Sequence, residues 1–131
     1  MNLQVGVKIL LKNSEGKYLL LRRSIEKYPE IGSKWDIPGG RIDPGVSLIE
    51  NLKREVLEES GLVLVGEPTL ISAQDILKED KHVVRLTYTG QAEGEIKLSD
   101  EHDKYEWLSI DDLKTLENLD KYIVEILGII K

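Results

Sequence analysis

The sequence predicts an α/β (α+β) fold in which a mixed β-sheet lies between helices. Three observations carry that expectation. An apolar period-two run opens the chain, one long amphipathic helix follows a glycine-rich loop, and further strand-like runs lead into a helical C-terminus. With 131 residues the chain is sized for a single domain, 1–131, with one modest core.

The elements follow in order. Over residues 3–12, Val5, Val7, Ile9 and Leu11 alternate with Gly6, Lys8 and Leu10, the pattern of a mostly buried strand. Residues 13–16 carry turn chemistry and 18–21 read as a returning strand, so the first unit is expected to be a β-hairpin. Arg22 and Arg23 end that strand, and 24–34 reads as a surface loop broken by Pro29 and Gly32. Trp35 to Gly40 cannot be a long regular element, because Pro38 lacks a donor and two glycines follow it.

From 47 to 60 the period becomes helical. Leu48, Leu52 and Val56 recur at i, i+4 and i+8, Ile49 and Leu57 widen the stripe, and Gly61 supplies the stop. Runs 62–66, 69–77 and 82–90 read as strands, with a turn at 78–81, and 105–108 as a short further strand. Ser109 is a good N-cap with Asp111 and Asp112 behind it. Asn118 is the expected cap of a last helix through Ile123, Ile126, Leu127 and Ile130.

Composition excludes several classes. There is no cysteine, so disulfides, thiolate zinc sites and cysteine nucleophiles are ruled out, and His82 and His102 are too few for an imidazole-rich metal site. The formal charge of −6 argues against stable nucleic-acid binding through phosphate neutralisation. No run approaches the roughly 18 apolar residues of a membrane span. The N-terminus has no basic and apolar leader, so the expected compartment is the cytoplasm.

The chemistry concentrates in one helix. Its last turns carry Arg54, Glu55, Glu58 and Glu59, and spacings of three and four put Glu55 beside both other carboxylates. Such a cluster repels itself unless a cation sits within it. A hard cation with oxygen ligands, Mg²⁺ first, answers that need.

Gly40 to Val46, seven further residues, and then Arg54-Glu55-Val56-Leu57-Glu58-Glu59-Ser60-Gly61-Leu62 resemble the signature of the Nudix hydrolases. That signature is written G-x5-E-x7-R-E-U-x-E-E-x-G-U, with U a bulky aliphatic. The match spans residues 40–62, and the flanks around Trp35 to Gly40 and Ser99 to Leu108 are similar to the family as well. The resemblance implies a Nudix-type α/β/α sandwich and hydrolysis of a nucleoside diphosphate linked to another moiety. It implies a small nucleotide as partner, first a nucleoside triphosphate, intact or oxidised, cleaved to monophosphate and pyrophosphate. ADP-ribose or nucleotide-sugar cleavage is the alternative, and a non-catalytic nucleotide-binding regulator a third.

By the same resemblance, Glu55, Glu58, Glu59 and the Gly39 carbonyl are the expected ligands of Mg²⁺, with Mn²⁺ as a substitute, and Glu101 is the candidate from outside the helix. The proton acceptor is either Glu55 or Glu101, with Arg54 orienting Glu55. Gly40 and Gly61 hold structural places in the signature. The departure is Val46, where the signature has Glu. Glu50, four residues before Arg54, is expected to take over its pairing; the alternative is an ordinary solvated pair.

Arg22, Arg23, Lys34 and Arg41 are candidates to grip substrate phosphates, against the alternative of plain surface charge. Trp35 could stack on a base or anchor a loop. His102, beside Glu101, reads as a surface residue, with a part in proton transfer as the alternative, and Trp107 reads as packing. Ile126, Leu127, Ile129 and Ile130 are either a homodimer face or the packed side of a monomer's last helix. The acidity is local: 41–62 sums to −2 and 93–112 to −6, while the remainder sums to +2. The resemblance places both acidic segments around one metal site.

Overall fold

Two strands buried on both faces organise the molecule. The computed structural model describes residues 1–130. Strand β1 (Asn2–Leu11) turns Val7, Ile9 and Leu11 into one core, where Leu19 and Leu21 of β2 (Tyr18–Arg23) join them. Leu10 of β1 and Tyr18 and Leu20 of β2 point into a second core. The alternation that marked a strand in the sequence thus supplies two cores, one per face.

Helix α1 (Leu48–Ser60) covers the first core with Leu52 and Val56, both fully buried. Each such burial contributes about 1.5–3 kcal/mol. Helices α2 (Ile110–Thr115) and α3 (Lys121–Ile126) cover the second with Leu113, Ile123 and Ile126. The expected α/β/α sandwich is therefore the observed one.

The remaining strands are β3 (Trp35–Asp36), β4 (Gly39–Arg41), β5 (Val63–Leu77), β6 (Lys81–Glu93) and β7 (His102–Leu108). One sheet runs β4-β1-β6-β5, with β1 and β6 parallel; the other runs β3-β2-β7 and is antiparallel.

Four local expectations are corrected. β1 and β2 do not form a hairpin: they lie in different sheets, joined near the turn by an isolated Lys12–Tyr18 bridge. Both edges of β1 are taken, by β4 and by β6, so no edge remains for β2. The runs 62–66 and 69–77 are one strand, whose pairing with β6 shifts between Val65 and Thr69, where Gly66 adopts φ +71° and Pro68 follows. Leu57 is exposed rather than part of the packed stripe. The cap of α3 is Asp120, whose Oδ2 accepts from Tyr122 N at 3.1 Å and Ile123 N at 3.3 Å. Asn118 instead takes a left-handed conformation, and its carbonyl accepts from Trp35 N.

The start of α1 fixes the glycine loop. Ser47 caps the helix by accepting from Glu50 N. Asn51, fully buried, donates to Val46 O at 2.9 Å and Ser47 O at 2.7 Å, and its Oδ1 accepts from Asp43 N at 3.0 Å. One amide side chain therefore ties residues 43–47 to the helix. At the other end Gly61, at φ +77°, donates to Leu57 O.

Candidate active site

The carboxyl end of α1 meets β4 beside a pocket of about 370 Å³, within the range of small-molecule sites. Its walls come from β1 (Gly6, Lys8), β2 (Arg23), β3 (Asp36), β4 (Gly39, Gly40, Arg41), α1 (Glu55, Glu59), the sheet face (Ile76, Val83, Arg85) and Glu101 ahead of β7. The pocket thus joins the glycine loop, the acidic helix and the acidic segment near Glu101.

Glu59 is the most buried of the pocket's glutamates, 7% exposed, and its Oε1 accepts from Gly39 N at 3.0 Å. Burial pushes its carboxyl up to about 7; Lys8 and the Gly39 hydrogen bond oppose that rise, while the negative charges of Glu55 and Glu101 add to it. Glu55 presses against β4: a Cβ on Gly40 would stand 2.8 Å from its carboxylate. The glycine loop is what allows that carboxylate to lie against the sheet edge. Gly39 is tighter still, because at φ +146° a Cβ would fall 2.0 Å from Val7 O.

Glu101 is held from the loop after β2. Tyr28 Oη donates to its Oε1 at 3.2 Å, and Ser24 N donates to its carbonyl at 2.9 Å. The Tyr28 ring also lies 5.0 Å from the guanidinium of Arg23. Behind Glu59, Lys8 donates to Asp36 at 3.1 Å, and Arg85, 5% exposed, reaches Asp36 at 3.4 Å and Asp120 at 3.2 Å. Burial works against ionisation of Asp36, yet Lys8 and Arg85 overcome it and hold that carboxyl below its usual range. His102 is buried, not a surface residue, and its Nδ1 has no hydrogen-bond partner. Burial, then Arg23 and Lys8, push it down to about 4, so it is neutral near pH 7.

The pocket gathers Glu55, Glu59, Glu101, Gly39, Gly40, Arg23 and Arg41 from the sequence-based set. It leaves the others elsewhere. Glu58 lies outside the pocket lining, its side chain 60% exposed and 3.8 Å from Arg54 Nε, and it lines a separate hollow with Gly61 and Lys97. Arg22 pairs with Asp103 at 2.7 Å and lines a separate groove with Trp35. Trp35 is an anchor, 8% exposed in the second core, and Lys34 lies at another surface hollow. The difference between Arg22 and Arg23 has a simple cause: consecutive residues of a strand point to opposite faces, so Arg23 enters the pocket and Arg22 does not.

The expected Glu50–Arg54 pair is also corrected. Glu50 sits 3.6 Å from Lys53, while Arg54 pairs with Asp43 at 2.5 Å and Glu55 at 3.0 Å. Lys8, Tyr28, Asp36, Asp43 and Arg85 were missed by sequence reasoning. A signal existed for Lys8, between Val7 and Ile9, and for Arg85, between Val84 and Leu86: each is a charge set within an apolar strand run.

The donor set suits a divalent cation in chemistry. It is made of carboxylate oxygens around a buried glutamate whose charge is resisted by burial and by its neighbours. Among the described residues, however, no three carboxylate or imidazole groups converge into a finished ligand set, so side chains must adjust to hold an ion.

Comparison with known proteins places this geometry. Residues 2–127 match the family model described as NUDIX domain. A nucleoside triphosphatase NudI of Escherichia coli O17:K52:H18 is 30% identical over 114 residues, which cover 79% of this chain and 80% of that protein. A MutT protein from Methanosarcina mazei Go1 superposes with a TM-score of 0.85 at 32% identity, covering 98% of this chain and 93% of that one. A MutT NUDIX hydrolase from Burkholderia pseudomallei superposes at 0.84 with 26% identity over the full length of both chains. On the family match and this shared fold, the chain belongs to the NUDIX domain family and is a pyrophosphohydrolase.

Proposed function

We propose that the protein hydrolyses a nucleoside triphosphate to the monophosphate and pyrophosphate, with Mg²⁺ as its cofactor and Mn²⁺ as a working substitute. The observation that carries the reading is the meeting of Glu55, Glu59 and Glu101 on one pocket beside the glycine loop, with Glu59 pushed up to about 7. The NudI relatives are nucleoside triphosphatases, which favours a triphosphate over other linked diphosphates.

Glu55, Glu59 and Glu101 are the side chains that would hold the ion, with Glu58 on the same helix and the Gly39 carbonyl contributing. When bound, the cation supplies positive charge for the phosphoryl oxygens, on which charge builds as the anhydride is cleaved. Arg23 and Arg41 line the same pocket and bind phosphate oxygens there. Glu101, steadied by Tyr28, or Glu55, steadied by Arg54, accepts the proton of the attacking water. The buried Lys8–Asp36–Arg85 network keeps the pocket floor in one arrangement.

The test is a nucleotide panel incubated with Mg²⁺ and, in parallel, with EDTA, the products being followed by phosphorus NMR. Monophosphate and pyrophosphate formed from a nucleoside triphosphate only with Mg²⁺ support the reading. Turnover confined to ADP-ribose or nucleotide-sugars replaces the substrate, and no Mg²⁺-dependent product from any diphosphate removes the proposal.

A further inference from the structure

Arg54 lies between two carboxylates that do different jobs. Its Nη2 donates to Glu55 Oε1 at 3.0 Å, and Glu55 is the carboxylate packed on Gly40 in the pocket wall. Its Nη1 donates to Asp43 Oδ2 at 2.5 Å, and Asp43 lies outside that wall. A guanidinium is planar, so anionic partners at both ends fix its roll as well as its place. Glu58, at 3.8 Å from Nε, adds charge without setting that plane.

Asp43 is itself held. Its N–H donates to the Oδ1 of the fully buried Asn51, and its carbonyl accepts from Val46 N at 3.2 Å. A continuous chain of contacts therefore runs from Asn51 through Asp43 and Arg54 to Glu55. Val46, 41% exposed on the same turn, offers Arg54 no anion, and Glu50 is turned towards Lys53.

We propose that Asp43 is a positioning residue: it holds the Arg54 guanidinium so that Glu55 keeps its place against Gly40. The kinetic half of this inference rests on the hydrolase reading above; the structural half does not. The Asp43 side chain is 66% exposed and the pair contributes little to stability, so the role is one of orientation.

The experiment compares Asp43→Asn, Asp43→Glu and Glu50→Gln with the wild type in two measurements. The first is NMR of the metal-free protein, reading the hindered rotation of the Arg54 guanidinium and the carboxyl carbon shift of Glu55. The second is kcat and KM with the triphosphate that the wild type turns over best. Asp43→Asn is expected to free the guanidinium and move the Glu55 signal. It is also expected to lower kcat about 10- to 100-fold with KM within about threefold. Asp43→Glu is expected to restore most of each, and Glu50→Gln to leave all of them unchanged. A guanidinium that stays hindered in Asp43→Asn overturns the proposal, as does an unchanged kcat, or a Glu50→Gln effect equal to that of Asp43→Asn. If the wild type turns over no nucleotide, the hydrolase reading fails by itself, and the metal-free NMR comparison alone decides whether Asp43 holds Arg54 and Glu55.

Discussion

Glu59 Oε1 accepts the Gly39 N–H at 3.0 Å, a bond that joins the last turn of α1 to the edge strand β4. It places a carboxylate in a nearly dry position, next to two others, with one neutral donor and the Lys8 charge to offset them. The glycine loop and the acidic helix are therefore one unit, and several consequences can be measured.

The first concerns pH. The Glu59 carboxyl sits at about 7 in the fold against 4.5 for an ordinary glutamate, so the native state retains a proton that the unfolded chain has released. Its contribution to stability is full below pH 4.5 and is lost as pH rises towards 7, a loss of about 3 kcal/mol at most. His102 acts in the opposite sense: held down at about 4, it favours the fold above pH 6.5 and loses that contribution as pH falls towards 4. The two slopes offset each other in the metal-free wild type. Denaturant melts of Glu59→Gln should show stability gained relative to wild type as pH rises from 4.5 to 7. A difference that does not change over that interval counts against this assignment.

The adjacent glycines should fail differently when each is changed to alanine. In Gly40→Ala the new methyl meets the end of a side chain, the Glu55 carboxylate. The protein should fold, with kcat reduced about 10- to 100-fold by displacement of that group. In Gly39→Ala the methyl meets Val7 O, with the backbone at φ +146°. Loss of the β1–β4 pairing, and of several degrees in Tm, is expected there. Thermal melts beside kcat for the two variants check the contrast.

Arg22 and Arg23 give a paired test of which strand face carries substrate. Arg23→Ala should raise KM about tenfold or more, because it removes a cation from the pocket wall. Arg22→Ala removes a surface pair with Asp103 and should leave KM near the wild-type value. Equal effects would mean that substrate phosphates extend beyond this pocket.

Tyr28→Phe removes the hydroxyl that donates to Glu101 Oε1 and keeps the ring beside Arg23. If Glu101 takes the proton, kcat should fall about tenfold with KM little changed. An unchanged kcat shifts the proton acceptor to Glu55.

Much of the site was legible because its spacing is local. The helix that carries Arg54, Glu55 and Glu59 announces itself by the recurrence of Leu52 and Val56, and its ends by Ser47 and Gly61. What was not legible is non-local. That β1 is flanked by β4 and β6 while β2 joins the other sheet is set by long-range pairing, and no turn residue at 13–16 encodes it. That Arg54 turns to Asp43 rather than Glu50 depends on Asn51 folding the loop back on the helix. Arg22 and Trp35 were drawn towards the site by chemistry, while the strand alternation that turns them away was already in the sequence.

Electron paramagnetic resonance of Mn²⁺ binding to the wild type, Glu59→Gln and Arg22→Ala tests whether the pocket carboxylates hold a divalent ion. Specific binding to the wild type is expected, competed by Mg²⁺, weakened about tenfold or more in Glu59→Gln and unchanged in Arg22→Ala. Equal Mn²⁺ affinity in the wild type and Glu59→Gln would contradict it.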